Sequence, residues 1–402
     1  MVSQMDSSLY RVIQSGFLQI QWCLLNFNAP VHIKGDIVQA KIEFTTRCNL
    51  NCMHCSAAPY RPAPDWETDQ LMDVLDQMLQ EGYTEFHLQG GEPFIREDIF
   101  DVLDLLEQNK GFFVISTNSL LLNEEKIEKL LSYNHLAMLT FSLDGATPEL
   151  HNTMRGEDAF DHTLRMIRSA VTLRKKLKAP ATLGLNYTLT KINSHQIGDI
   201  FATADELQVD SVSVLSLSLR GNALGHKDEL YLTEKEEFEA LLKGAAALRK
   251  INVNRKIKGL PPLIFNVELY PYTWKCALMN QSGHLISYVS QHLCSAGTHT
   301  IYIAADGTIY PCEAARPYID LLEQHLGPYE RPNIHECTIK DAKQNKSFKK
   351  IVSYLQDYDH VFSSITPCNT CGHLGKCTIC PLVVLAEGKA MRCTEEVLRS
   401  AG

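Results

Sequence analysis

This 402-residue chain has no surplus of basic residues: 38 Lys and Arg stand against 47 Asp and Glu, a net charge of −9. Without spare cations it has little with which to neutralise phosphates, which argues against a nucleic-acid partner. Apolar runs of the ~20 residues needed to cross a bilayer are missing, so no membrane segment is expected. Residues 1–11 lack the basic stretch and apolar stretch of a secretory signal, and the chain is expected to be cytoplasmic. In that compartment its thirteen cysteines are not expected to form disulfides. Hydrophobic content of 45% with 21% charged residues is ordinary for a water-soluble chain long enough for two or three domains.

What the chain does have is cysteine in two arrays. Three fall in Cys48-Asn49-Leu50-Asn51-Cys52-Met53-His54-Cys55, just past a strand-like stretch at 38–45, and seven more, with Cys337 set apart, lie from Cys294 to Cys393. Isolated Cys23 and Cys337 read as small buried apolar residues. Thiolates are soft ligands for iron–sulfur clusters, zinc or copper(I). Three of them can hold three irons of a four-iron cluster, which leaves one iron open to a non-protein ligand. The alternative is a zinc knuckle with a fourth ligand from elsewhere, such as His54.

Residues 1–37 form a lead-in whose alternation at 17–22 suits a strand. Apolar runs at 38–45, 85–88, 112–116, 136–142, 183–189 and 212–217 then alternate with helical stripes, such as Leu71, Val74, Leu75, Met78 and Leu79, or Phe160, Leu164, Ile167 and Val171. This pattern predicts about six β/α units on a parallel sheet. They are closed by a helix that starts at a capping box, Thr233 to Glu236. In such folds chemistry gathers at the C-terminal ends of the strands. There the sequence puts Cys48 to Cys55, then Gly90-Gly91-Glu92-Pro93, Ser116-Thr117-Asn118-Ser119 and Ser142-Leu143-Asp144-Gly145. Asn186 and Thr188 follow in the fifth strand, and residues 216–222 end the sixth. Each motif alone is also an ordinary turn.

The three-cysteine run followed by Gly90-Gly91-Glu92-Pro93 resembles the radical S-adenosylmethionine (radical SAM) enzymes. The resemblance implies an α/β fold, an open six-unit partial TIM barrel over residues 38–245. It also implies a four-iron cluster on Cys48, Cys52 and Cys55 whose open iron binds S-adenosylmethionine and cleaves it to a 5′-deoxyadenosyl radical. By the same resemblance the cofactor contacts are Gly90, Gly91, Glu92, Pro93, Ser116, Asn118, Ser142, Asp144 and Asn186. Arg155 is placed either against a cofactor carboxylate or in a structural ion pair. Ser119 stands where the family often has glycine.

After a less regular bridge at 246–290, residues 291–402 resemble the SPASM extension of peptide- and protein-modifying members. Asp306-Gly307-Thr308-Ile309-Tyr310-Pro311-Cys312 reads as a hairpin carrying a ligand. The resemblance implies two auxiliary four-iron clusters, one on Cys294, Cys312 and Cys380, the other on Cys368, Cys371, Cys377 and Cys393. Cys276 is the candidate fourth ligand of the first. Cys377 and Cys380 are two residues apart where the family usually has three, and a pair of structural zinc sites is the competing reading. Glu313, next to Cys312, corresponds to an acidic residue proposed as a base in sulfatase-maturing members, a role that burial would favour.

The expected function is hydrogen abstraction from a ribosomally made precursor peptide or protein, giving a crosslink or an oxidation. Three four-iron clusters and S-adenosylmethionine are the expected cofactors, with a flavodoxin or ferredoxin as reductant. Oxidation or rearrangement of a small molecule, such as a sugar alcohol or tetrapyrrole, is the second reading, and a zinc-stabilised binding protein the third. The 37 residues before the first strand are too few for a winged-helix leader-binding unit. The precursor is therefore expected to meet the barrel mouth and SPASM face, or to come with a separate leader-binding protein.

Overall fold

A computed structural model describes residues 38–61, 65–156, 159–267, 270–283, 285–286, 294–372, 374, 377, 379–387 and 393. The lead-in strand expected at 17–22, and Cys23, lie outside them. The six apolar runs form strands β1 (Gln39–Thr45), β2 (Glu85–Gly90), β3 (Phe112–Thr117), β4 (Leu136–Ser142), β5 (Thr182–Leu189) and β6 (Ser211–Ser216), paired parallel in chain order. Between and after them run α1 (Thr68–Gln80), α2 (Ile99–Gln108), α3 (Glu124–Ser132), α4 (Pro148–Arg155), α5 (Ala159–Leu177), α6 (Ile197–Leu207) and α7 (Glu234–Ile257).

The two faces of the sheet differ in chemistry. Alternate residues such as Phe86, Leu88, Phe113, Ile115, Leu139, Phe141 and Leu185 are buried with the helices' apolar stripes. Each such side chain contributes roughly 1.5–3 kcal/mol. The other face, which lines the barrel lumen, carries Lys41, Glu43, Gln89, Ser116, Thr140 and Asn186.

The stretch 246–290 is more regular than its sequence suggests. Helix α7 runs on to Ile257, and β7 (Ile264–Val267) then pairs parallel with β6. Helix α8 (Tyr272–Ser282) and β8 (Leu285–Ile286) follow, with β8 parallel to β7. The Pro-rich turn reads as a loop, yet side chains of α7 supply its missing partners. Asn252 brackets Leu263, accepting its N–H at 2.7 Å and donating to its carbonyl at 2.9 Å, and Arg255 Nε donates to the Pro261 carbonyl at 2.7 Å.

The C-terminal region shares the same sheet. Strand β9 (Thr300–Ile303) pairs parallel with β1 on its free edge, and β10 (Ile309–Tyr310) returns antiparallel as the expected hairpin. The result is one open ten-stranded sheet in the order β10-β9-β1-β2-β3-β4-β5-β6-β7-β8. Buried Glu43 of β1 pins this junction, accepting from the Ala305 N–H at 2.9 Å and from Arg316 Nη1 at 2.6 Å. Helices α9 (Ile319–Leu326), α10 (Ile339–Gln344), α11 (Lys346–Gln356), α12 (Tyr358–Phe362) and α13 (Pro381–Glu387) complete the region. A small second core of Tyr358, Val361, Phe362, Ile379 and Val384 encloses Cys368 and Cys377. No helix among the described residues is long and apolar enough to cross a membrane.

The capping box at α7 is present: Thr233 Oγ1 accepts the Glu236 N–H at 3.3 Å, and Glu236 Oε2 accepts the Thr233 N–H at 2.8 Å. Thr233→Ala should cost about 1 kcal/mol locally. Hydrogen exchange should then read roughly fivefold faster exchange in the first turn of α7, with the barrel strands unchanged.

Candidate active site

The loop from Arg47 to Cys55 has little regular structure, so its backbone polar groups need partners. The ends of other elements supply them. Gly91 N–H donates to Thr45 O at 2.7 Å and Glu92 N–H to Arg47 O at 2.9 Å. Met53 N–H donates to Met154 O at 3.0 Å, and Asn222 N–H to Cys55 O at 3.0 Å. The Asn222 amide also donates to Cys52 O at 3.0 Å and to Asn51 Oδ1 at 2.8 Å.

Glycine is required at three positions in these contacts. A Cβ on Gly91 would lie 1.8 Å from Arg47 O, and one on Gly90 would lie 2.1 Å from Thr45 O. On Gly221 it would lie 2.4 Å from Cys55 O. The Gly90-Gly91 pair is thus demanded by the cysteine loop itself, a cause that motif matching does not reveal. Gly221 and Asn222, in the stretch 216–222 that the sequence puts at the end of the sixth strand, both brace the loop from there.

Each remaining motif residue has a definite partner. Glu92 is buried; Oε1 accepts from Thr117 Oγ1 at 2.7 Å and Phe94 N–H at 3.3 Å, and Oε2 accepts the Asn118 N–H at 2.7 Å. Burial pushes its pKa up, and these hydrogen bonds oppose the rise. Its carboxylate therefore ties the end of β2 to the end of β3. Pro93 starts a buried 3₁₀ turn behind it. Asn118 donates to Asn49 Oδ1 at 2.8 Å, and its amide nitrogen lies 3.9 Å from Cys48 Sγ.

Ser119 adopts φ +68°, the left-handed region. That explains the family's preference for glycine here. Serine is held in place because its hydroxyl donates to the Asn118 carbonyl at 2.6 Å and lies 2.8 Å from Thr163 Oγ1.

Asp144 and Arg155 pair with each other. Both are buried, Arg155 Nε donates to Asp144 Oδ2, and Asp144 Oδ1 accepts the Thr188 N–H at 2.7 Å. The Arg155 guanidinium acts against burial to hold the Asp144 carboxyl below its usual range. Of the two roles expected for Arg155 the structure shows the ion pair, and losing one partner of such a pair costs about 3–5 kcal/mol. Asp144, expected to contact cofactor, also holds the β5 backbone through the Thr188 N–H. His54 Nε2 lies 3.5 Å from Asp144 Oδ2, and burial drives the His54 pKa down to about 4. That leaves a neutral imidazole facing the carboxylate.

Ser116 and Asn186 do meet across the lumen: Asn186 Nδ2 lies 3.3 Å from Ser116 Oγ and 3.2 Å from Thr140 Oγ1. Ser116 Oγ in turn lies 2.7 Å from Thr140 Oγ1. Ser142 pairs in register with Asn186 on the same rim.

The thiols gather in three groups. Cys48, Cys52 and Cys55 interact electrostatically; burial raises Cys48 and pushes Cys52 to about 11. Cys294, Cys312 and Cys380 form a second group, in which burial raises all three and brings Cys294 to about 11. Cys368, Cys371, Cys377 and Cys393 form a third, with Cys368 at about 11 and Cys393 at about 12, again chiefly through burial. Cys377 and Cys380, two residues apart, therefore serve different groups. Cys276, the candidate fourth ligand, lies on α8. No group of three or more His, Cys, Asp or Glu among the described residues is set to hold a single metal ion. Buried thiols lose their protons when a metal takes their place, and three or four cysteines in one group is the donor set of an iron–sulfur cluster.

Glu313 differs from expectation. Its side chain is 54% exposed and pairs with Lys41 Nζ at 3.4 Å, so the burial that would favour a base is absent. The Gln89 amide donates to it at 3.0 Å once its O and N are exchanged.

A parallel barrel that presents three thiols on the loop after its first strand defines a class: α/β proteins that hold a soft-ligand cofactor at the barrel mouth. Within that class, residues 42–200 match the Radical SAM superfamily and residues 294–372 the iron-sulfur cluster-binding SPASM domain, so this chain carries a Radical SAM domain and a SPASM domain. It is 28% identical over 273 residues to an AdoMet-dependent heme synthase of Methanosarcina barkeri, spanning 67% of this chain and 75% of the relative. It is 26% identical over 274 residues to mycofactocin maturase MftC of Mycobacterium ulcerans, spanning 68% and 67%. Its fold is similar to that of Streptococcus suis SuiB bound to precursor peptide SuiA, with a TM-score of 0.62 at 17% identity over 96% of this chain and 91% of that one.

Two outcomes follow from this geometry. Gly91→Ala should drive a Cβ into Arg47 O and displace the cysteine loop. Anaerobic reconstitution should then yield less iron and sulfide than wild type, whereas Gly198→Ala, on α6 with its nearest neighbour 3.5 Å from the new Cβ, should load normally.

The second concerns His151, whose Nδ1 accepts the Asp144 N–H at 3.2 Å and whose pKa burial lowers to about 4. The folded protein resists a proton that the unfolded chain accepts near 6.5. Its contribution to stability should fall as pH drops from about 6.5 toward 4, and denaturant melts of His151→Gln should show a shallower acid loss.

Proposed function

We propose that this protein generates a 5′-deoxyadenosyl radical from S-adenosylmethionine at a cluster on Cys48, Cys52 and Cys55, and uses it to take hydrogen from a ribosomally made precursor peptide. The two C-terminal thiol groups hold auxiliary clusters, three in all with the first. The product is a crosslink or an oxidised residue. The setting is the cytoplasm, and the reductant is a flavodoxin- or ferredoxin-like protein. The cofactor supplies the radical chemistry, while the chain positions substrate and excludes competing donors.

The observation that carries the peptide reading is the neutral wall of the lumen. Ser116, Thr140 and Asn186 form a hydroxyl–amide ladder across β3, β4 and β5, and Asn266 Nδ2 lies 3.3 Å from Ser213 Oγ further round. Such groups match the donors and acceptors of a peptide backbone. The 28% identity to a heme synthase favours a second reading, a tetrapyrrole substrate. A tetrapyrrole bearing several carboxylates calls for cations, and the lumen's Lys41 is engaged by Glu313. The likeness to SuiB, which binds a precursor peptide, and to the maturase MftC supports the first.

Reconstituted protein should hold about twelve irons, and replacing Cys48, Cys52 and Cys55 together by Ala should remove about four of them and abolish 5′-deoxyadenosine formation. Cleavage retained in that variant would end the radical reading. Deuterium transfer into 5′-deoxyadenosine from a labelled peptide encoded beside the gene supports the peptide. Transfer only from a labelled carboxylated porphyrin would replace it with the tetrapyrrole.

A further inference from the structure

The three thiols of the loop after β1 meet different donors. Cys48 receives the Leu50 N–H and sits near the Asn118 amide. Cys52 lies within reach of Arg155, whose charge is matched by buried Asp144. Cys55 receives Arg61: Nη2 lies 3.4 Å from Sγ. No carboxylate pairs with Arg61 among the described residues, and its other nitrogen, Nη1, donates to Asn51 Oδ1 at 3.2 Å. Asn51 is held by Asn222 at 2.8 Å. The Arg61 backbone caps the 3₁₀ turn Ala58–Tyr60 through its N–H to Ala58 O. The guanidinium is thus aimed at Cys55 sulfur by a network whose other members are neutral, and its charge also reaches Cys48, where the Glu92 carboxylate opposes it.

We propose that Arg61 is a positioning residue for the cluster on Cys48, Cys52 and Cys55, donating to the Cys55 thiolate and so raising that cluster's reduction potential. This rests on the ligand assignment made under the proposed function. Reduction adds one electron and one negative charge to the cluster, with no bond made or broken. A hydrogen bond to ligand sulfur and an uncancelled positive charge both favour the more negative, reduced form. The electron comes from an external one-electron donor.

The test is an anaerobic redox titration of the full chain with dithionite, following the reduced-cluster EPR signal that changes when S-adenosylmethionine is added. That change separates the site cluster from the auxiliary ones. In Arg61→Gln the reduced-to-oxidised ratio at the wild-type midpoint should fall about tenfold, a shift of about 59 mV for a one-electron couple. Arg61→Lys keeps the charge without the planar fork and should fall between the two. An unchanged midpoint in a fully loaded Arg61→Gln protein overturns the proposal. If that variant does not load, Arg61→Lys decides it by the same criterion, and failure of both to load makes Arg61 an assembly residue and overturns tuning. Loss of the ligand assignment reads differently: a Cys48/Cys52/Cys55 triple Ala variant would then keep the S-adenosylmethionine-sensitive signal.

Discussion

The site depends on how an irregular loop satisfies its backbone. An unpaired buried N–H or C=O costs about 1–3 kcal/mol, and the segment after β1 has no helix or strand in which to pair its own. It borrows partners from the end of β2, from the end of α4 and from the turn after β6. These bonds require direct backbone contact, which is why Gly90, Gly91 and Gly221 cannot carry a side chain. The loop is consequently as well fixed as the sheet, and three thiols on it share the rigidity of elements far apart in sequence.

Strand β1 transmits that order to the C-terminal region. Its lumen face presents Lys41 and Glu43 in succession, and the chain then enters the cysteine loop. Lys41 meets Glu313, next to Cys312, while Glu43 binds Ala305 and Arg316 on either side of the hairpin. The Arg316 guanidinium lies 3.9 Å from the centre of the Tyr60 ring, at the far end of the same loop. Parallel pairing of β9 with β1 sets the register in which these contacts occur. The spacing between the first thiol group and the Cys294, Cys312 and Cys380 group is thereby fixed through one strand and one buried ion pair, not through a flexible linker.

Much of this was legible in the sequence, and the failures have physical causes. Short buried strands alternating with amphipathic helices announce themselves by periodicity, so β1 to β6 and the capped start of α7 appear where the pattern puts them. In the stretch 246–290 Pro261 and Pro262 do lie in a loop, but the elements flanking it were not legible, because the groups that order it, Asn252 and Arg255, are buried polar residues on a helix without a clean apolar stripe. Glu92, Asp144 and Arg155 stand at motif positions, yet their partners lie elsewhere in the chain, at Asn118, Thr188 and each other, and no local spacing reveals such pairing. Arg61 belongs to no motif, and only the folded loop gives it a task.

The electrostatics of the loop follow from which charges are cancelled. Arg155 and Asp144 are both buried and neutralise each other, so they orient the wall behind Cys52 without adding net charge. His54, neutral through burial, adds none either. Glu92 is engaged by three neutral donors, and its carboxylate acts on Cys48 against Arg61. Beside Cys55 stands Arg61, partly exposed and bonded to a neutral amide. A three-thiolate cluster concentrates negative charge in a site of low dielectric, where one uncancelled cation counts for more than it would in water. The loop therefore separates two tasks: paired buried charges hold the thiols in place, and the unpaired guanidinium sets the potential they experience.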